Sequence, residues 1–136
     1  MNEDWLLLGD FNEIACPSEK KGGGRTDTQA CRKFANWINN CSLIYLGHVG
    51  TKYTWRGPKW EGQERVFKRP DRALANAPWR TSYPEARVDV LTRIQSDHHP
   101  IMVSLEPPNS RTSNRPFRYE AMWRLHPEFP EFIQER

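Results

Sequence analysis

The chain has 136 residues, 37% hydrophobic, 27% charged and 12% aromatic, with a formal net charge of +3. That size suits one ordinary domain, and no apolar run reaches the eighteen or so residues that span a bilayer. Six Trp, six Phe and four Tyr argue against a disordered chain, and three irregularly spaced cysteines, Cys16, Cys31 and Cys41, argue against a disulfide scaffold or a zinc site.

The first residues show no charged-then-apolar secretory signal, and the odd, irregular cysteines make a reduced intracellular compartment the expectation. Charge is unevenly placed. Between residues 51 and 93 ten Lys and Arg stand against five Asp and Glu, a local +5, and the remainder sums to −2. A basic middle suits an anionic partner such as nucleic acid, and equally suits a solvated arginine-rich surface.

In chain order, residues 5–8 are a short apolar run ended by Gly9, the pattern of a buried strand. A buried strand needs neighbours on both edges, so a missing upstream segment is expected. Residues 16–27, with Gly22-Gly23-Gly24, read as a mobile loop. In 28–41, Ala30, Phe34, Trp37, Ile38 and Cys41 recur at helical steps, with Asp27 or Thr28 as the cap. Residues 43–46 read as a short strand. Residues 53–56 and 65–68 read as a hairpin around Gly57-Pro58. Residues 71–77 hold good helix formers behind Pro70, which predicts a helix, and 79–83 predict another helical turn. Residues 86–91 and 101–105 alternate as two strands with one wet face. Residues 106–116 shift to Pro, Asn, Ser, Thr and Arg and read as a linker. Phe117, Tyr119, Met122, Trp123, Phe129, Phe132 and Ile133 concentrate in 117–136, which reads as the start of a following region.

Chemistry-bearing groups stand at the ends of these apolar strands. In Gly9-Asp10-Phe11-Asn12, an extended chain would turn Asp10 and Asn12 to one side and Phe11 to the core. A carboxylate beside an amide can hold a water and a phosphoryl oxygen, although a plain strand-to-loop turn uses the same residues. In Ser96-Asp97-His98-His99, the acid can orient the imidazole or bind a hard cation, or the segment is a polar loop. Asp71, flanked by Lys68, Arg69 and Arg72, is either a neutralised surface acid or the carboxylate that fixes a catalytic His. Tyr53-Thr54-Trp55 suits stacking on bases, or a hairpin core.

Taken in order, Gly9-Asp10-Phe11-Asn12, Tyr53-Thr54-Trp55, Asp71-Arg72 and Ser96-Asp97-His98 resemble the endonuclease/exonuclease/phosphatase superfamily, which includes apurinic/apyrimidinic endonucleases and DNase I-like enzymes. The resemblance spans residues 5–105. Asp71-Arg72-Ala73-Leu74-Ala75-Asn76 with Trp79 and Pro84, and the segment Phe117-Arg118-Tyr119-Glu120-Ala121-Met122-Trp123 with His126-Pro127-Glu128-Phe129, look like plant LINE-type (non-LTR) retrotransposons, whose endonuclease leads toward a reverse transcriptase.

The resemblance implies an α+β fold: the C-terminal half of a four-layer α/β/β/α sandwich, mostly antiparallel sheet flanked by helices. It divides the chain into a partial endonuclease domain at 1–105, a linker at 106–116 and a connector at 117–136. It implies hydrolysis of DNA phosphodiester bonds with Mg²⁺, or Mn²⁺ in its place, in the nucleus, with DNA as the partner, no membrane and no obligate protein partner. Catalytic roles would fall on Asp10, Asn12, Asp71, Asp97 and His98, metal ligation on Asp10 and Asp97, and DNA contacts on Thr54, Trp55, Arg56 and Arg72. His99 would pack or face solvent. The family's upstream half, with its metal-binding Glu, has no counterpart before Met1, and Pro70 stands where an apolar residue is common. Both departures predict a partial domain with little or no activity. A non-catalytic nucleic-acid-binding remnant and a phosphatase of the same superfamily are the alternatives.

Overall fold

The computed structural model describes residues 3–106. The expected linker beyond Glu106 and the expected connector lie outside the described residues. The described chain mixes helix with antiparallel sheet. No helix among these residues is long and apolar enough to cross a membrane.

Strand β1 (Leu6–Asp10) pairs with β6 (Asp71–Ala75), which also pairs with β3 (Ile44–Tyr45), so β6 is the centre of a three-stranded sheet. All five β6 residues are buried. This corrects the helix expected at 71–77. Arg, Leu and Ala are good helix formers, but intrinsic preference is a weak prior beside two strand partners and a buried environment. Alternation along β6 serves both faces. Leu74, opposite Leu7, joins Ile38, Leu43, Phe11 and Phe34. Ala75, opposite Leu6, joins Trp79, Ala86, Leu46, Tyr83 and Val103.

Helix α1 (Thr28–Asn40) forms where its apolar stripe predicts and buries Cys31 and Ile38. The Asp27 carboxylate accepts from the backbone N–H of Gln29 at 2.9 Å and Ala30 at 3.0 Å, satisfying two otherwise free donors of the first turn. The second helix, α2 (Ala77–Ser82), covers most of the helical turn expected at 79–83, starts two residues earlier, and is capped by Asn76, whose side chain accepts from the Trp79 N–H. Strands β7 (Arg87–Val90) and β8 (Ile101–Ser104) pair as the alternation predicts, with Val88 opposite Val103.

A second three-stranded sheet is made of β2 (Lys20–Lys21), β5 (Phe67–Lys68) and β4 (Trp55–Arg56), in that order. The hairpin was expected; its third strand was not. Residues 16–27 are therefore no simple loop. A 3₁₀ turn at Pro17–Glu19 leads into β2, and Gly22 then turns with φ of +77° so close to β5 that a Cβ there would lie 2.1 Å from the Arg65 carbonyl oxygen. Only glycine fits that approach. The apolar run at 5–8 is also less buried than expected, with Trp5 45% and Leu8 48% exposed, because β1 has a partner on one edge only among the described residues.

The two sheets are tied by buried charge. Arg69 and Arg72 are each 2% exposed. Arg72 binds Glu19 at 2.7 Å and donates to the Arg69 carbonyl at 2.8 Å, while Arg69 donates to the Tyr45 hydroxyl and the Lys52 carbonyl. Arg69 N–H in turn donates to the Glu19 carbonyl. One carboxylate thus serves a pocket of two guanidinium groups, and the Arg69 Nη2 and Arg72 Nε atoms find no acceptor among the described residues.

Removing one member of a buried ion pair leaves an uncompensated charge. Glu19→Ala should therefore cost about 3 kcal/mol of unfolding free energy in urea titrations; a loss under 1 kcal/mol, the range of exposed pairs, would show that the pair is not buried in solution. Gly22→Ala should also destabilise, by more than about 1 kcal/mol, because it adds both a strained φ and a backbone clash. A thermal melt unchanged by that substitution would contradict the close approach of the 22–24 turn to β5.

Candidate functional site

Antiparallel pairing of β1 with β6 sets Asp10 opposite Asp71 at the end of the ladder. Two acids directly across a strand pair repel. An imidazole stands between them. His98 Nδ1 lies 2.9 Å from Asp71 Oδ2, and His98 Nε2 lies 3.9 Å from Asp10 Oδ2.

The loop that carries His98 is held by the backbone of β4 and the residue before it. Arg56 N–H donates to the Asp97 carbonyl at 3.0 Å, and His99 N–H donates to the Thr54 carbonyl at 2.7 Å. Ser96 Oγ accepts from the His98 N–H at 3.1 Å. The sequence 96–99 is thereby bolted to β4, and His98 has one direction to face.

Asp71 is itself held. Thr54 Oγ1 donates to Asp71 Oδ2 at 2.6 Å and accepts from the Asp71 N–H at 3.2 Å. Thr54 is fully buried. With Asp71 ionised and its Oδ2 accepting from the Thr54 hydroxyl, His98 places its Nδ1–H on the same oxygen and presents Nε2 to Asp10 and solvent. Partial burial lowers the His98 pKa and is the largest single influence. The hydrogen bond to Asp71 and the charges of Asp71, Asp10 and Asp97 outweigh it together and raise the pKa above 6.5.

Asn12 reaches the site by a different route from the extended geometry expected. Its backbone has φ of +55°, a conformation that Asn tolerates better than most residues, and its N–H donates to Asp10 Oδ1 at 2.8 Å. Phe11 turns to the core as expected, its ring 5.7 Å from Phe34 and 6.1 Å from Trp37. Pro70 causes no distortion. It joins β5 to β6 where its carbonyl accepts from the Phe11 N–H at 3.1 Å and no donor is required of it.

These groups open on a shallow cleft lined by Asp10, Asn12, Trp55, Lys68, Pro70 and His98. Lys68 was not among the expected site residues. Its signal was its position in the hairpin: it pairs with Trp55, so both side chains share a face, and Lys68 Nζ sits 6.0 Å from the Trp55 ring centre.

Other expected residues are placed elsewhere. Asp97 was expected with Asp10 as a metal ligand. It stays exposed, and its Oδ2 accepts from the Trp55 indole N–H at 2.9 Å. That hydrogen bond, a backbone N–H and the charges of His98 and Arg93 hold its pKa below the ordinary range against a small desolvation cost. Thr54 and Arg72, expected on DNA, have no surface to offer: Thr54 lies under Asp71 and Arg72 is locked to Glu19. Trp55 faces the cleft. Arg56, the next residue of β4, takes the opposite face of its sheet.

Among the described residues one group of three offers ligand atoms within 4.8 Å of one another: Asp10, Asp71 and His98. Asp71 Oδ2 already serves Thr54 and His98, so a cation bound by all three would break the pair that orients the imidazole. Asp10 is free of that conflict. One carboxylate, completed by water and substrate phosphate, is an ordinary way to hold Mg²⁺.

No protein-family model, curated protein or solved structure matches this chain.

In an NMR titration the His98 ring should have its midpoint above 6.5, and Asp71→Asn should bring it down. A histidine whose folded pKa is raised adds stability that is complete below pH 6.5 and fades as pH rises through the folded value. Urea unfolding should show that decline in the wild type and a flatter profile in Asp71→Asn. A wild-type midpoint at or below 6.5 would contradict the Asp71–His98 contact.

Proposed function

We propose that this cleft hydrolyses phosphodiester bonds in DNA with a divalent cation, Mg²⁺ before Mn²⁺, after the manner of the endonuclease/exonuclease/phosphatase superfamily that the four motifs resemble. The observation that carries the reading is the line Thr54–Asp71–His98–Asp10, drawn from four separate stretches of chain and ending at a surface cleft. A structural network of this kind has no need to end at solvent. On this reading the described sheets belong to one half of a four-layer sandwich.

The roles follow from position. Asp71 fixes the tautomer and orientation of His98, and Thr54 fixes Asp71. Asp10 Oδ2 and His98 Nε2 are close enough for one water to contact both at ordinary hydrogen-bond length. Attack of that water on phosphorus breaks the bond to the leaving oxygen. The water's proton passes to Asp10, and the leaving oxygen takes a proton from solvent. His98, cationic over a widened pH range, and the Asn12 amide hold the charge that grows on the non-bridging oxygens. A cation at Asp10 would supply further neutralisation of that charge and a more acidic water.

DNA is favoured over a small phosphomonoester because the cleft is open and Lys68, Lys20 and Trp55 continue the surface beyond it into a neighbouring groove that also holds Trp60. Aromatic faces interleaved with ammonium groups suit a polynucleotide.

Supercoiled plasmid incubated with the chain and Mg²⁺ should be nicked slowly. His98→Ala and Asp10→Ala should each reduce the rate about a hundredfold, the usual worth of a charge-stabilising donor for the first and of a positioned base for the second. Nicking that survives both substitutions, or no nicking with either metal, would defeat the hydrolytic reading. Faster turnover of p-nitrophenyl phosphate than of bis(p-nitrophenyl) phosphate would move the substrate to phosphomonoesters.

A further inference from the structure

The sheet β2-β5-β4 is three strands wide with two residues in each strand, and its pairing sorts the side chains cleanly. Lys20, Lys68 and Trp55 are mutual partners and face the cleft side. Lys21, Phe67 and Arg56 are mutual partners and face the reverse. A sheet in a small domain ordinarily seals one face with apolar packing. Here the reverse face opens on a second cavity of about 280 Å³, lined by Lys21, Thr51, Tyr53, Phe67, Arg93 and His99.

The chemistry of this cavity is specific. Tyr53 and Phe67 set their rings 6.2 Å apart at 46°, and both remain half-exposed. Lys21 and Arg93 supply two cations to the lining, which contains no carboxylate. Lys52 Nζ sits 5.6 Å from the Tyr53 ring centre. Arg93 also feels the charges of Arg56 and Arg65, which, after a first contribution from desolvation, hold its pKa below the ordinary range while Asp97 opposes them. Three cations, Lys21, Arg93 and Lys52, therefore stand at a pair of aromatic faces, and only Arg93 has an acid, Asp97, acting on it. Like charges gathered in this way favour an anionic ligand. His99, expected only to pack or face solvent, spends Nδ1 on the Leu91 carbonyl at 2.8 Å, which leaves Nε2 as its remaining polar atom.

We propose that this reverse-face cavity is a second nucleic-acid site, which receives one unpaired nucleotide of a single strand with its base against Tyr53 and Phe67 and its flanking phosphates on Lys21 and Arg93. The site is separate from the catalytic cleft, and its existence does not require that the cleft be hydrolytic. Base-on-aromatic contact is worth about 1–3 kcal/mol and tolerates any base, since each presents a π face. A duplex must first unstack and unpair that base, at a few kcal/mol, so single strands are preferred.

The test is fluorescence anisotropy of a labelled ten-nucleotide oligothymidylate with the whole 136-residue chain. The double variant Lys21→Ala/Arg93→Ala should weaken binding at least tenfold and reduce the slope of log affinity against log salt by about 1.4, two phosphate contacts at roughly 0.7 each. Phe67→Leu should weaken it about tenfold with little change in slope. A control matched in charge, Arg32→Ala/Lys33→Ala, removes two positive charges from exposed positions of α1 and should change affinity less than twofold. Should Phe67→Leu fail to fold by circular dichroism, the Lys21/Arg93 pair, exposed and half-buried respectively, still carries the test. Affinity unchanged in Lys21→Ala/Arg93→Ala, an equal loss in Arg32→Ala/Lys33→Ala, or tighter binding of the matching duplex would overturn the proposal. Loss of plasmid nicking in cleft variants bears on the hydrolytic reading alone, so the two can fail separately.

Discussion

Asp71 and Asp10 face each other because β1 and β6 are antiparallel and in register, and the ladder would set two anions side by side whatever else the chain did. The contact from Asp71 to His98 relieves that opposition and decides what the end of the sheet can be used for. It draws the loop 96–99 against β4, brings the Trp55 indole to Asp97, and leaves a single ring nitrogen exposed toward the cleft. Without His98 the buried carboxylate would keep only Thr54 as a side-chain partner, and burial of an acid on those terms is unfavourable. The site and the local fold therefore rest on one hydrogen bond between elements twenty-seven residues apart.

Behind that bond lies a rigid support. Arg69 and Arg72 flank Asp71 in sequence, yet neither neutralises it directly. They turn the other way, to Glu19, Tyr45 and backbone carbonyls, and stack near Phe34 and Tyr45. Pro70 follows Arg69 between β5 and β6 and has no N–H of its own, so that position only accepts, from Phe11. The short stretch 68–72 thus divides its residues between two different jobs. Lys68 and Asp71 serve the cleft, while Arg69 and Arg72 clamp the 3₁₀ turn at Pro17–Glu19 onto the sheet.

Much of the scaffold could be read from the residues. Helix α1 announces itself through a three-and-four spacing and an Asp cap, both of which are local signals. The strands β4, β5, β7 and β8 follow from alternation and from the turn residues between them. β6 could not be read that way, because Asp-Arg-Ala-Leu-Ala has helical preference and only its two neighbours make it a strand. β2 was hidden for the same reason: two lysines before three glycines carry no strand signal until β5 lies beside them. Site residues were legible where chemistry and strand ends coincide, as at Asp10, Asn12 and His98. Thr54 and Arg72 were misplaced on a DNA surface because the depth of a side chain is not written in its own neighbourhood. The partner that holds each is seventeen or fifty-three positions away.

The sheet β2-β5-β4 carries one further implication. Its two faces are related by the strand pleat, so Trp55 and Lys68 cannot change sides without Arg56 and Phe67 changing with them. Gly57 N–H donating to the Val66 carbonyl at 2.8 Å closes the ladder just beyond β4 and fixes that phase. The stretch 58–64 lies outside the ladder, so a change of length there leaves that phase intact. A single codon inserted within β4 or β5 would instead roll the strand over, exchanging indole for guanidinium at one opening and guanidinium for indole at the other. Length variation should accordingly accumulate in the hairpin tip and be purged from its stem.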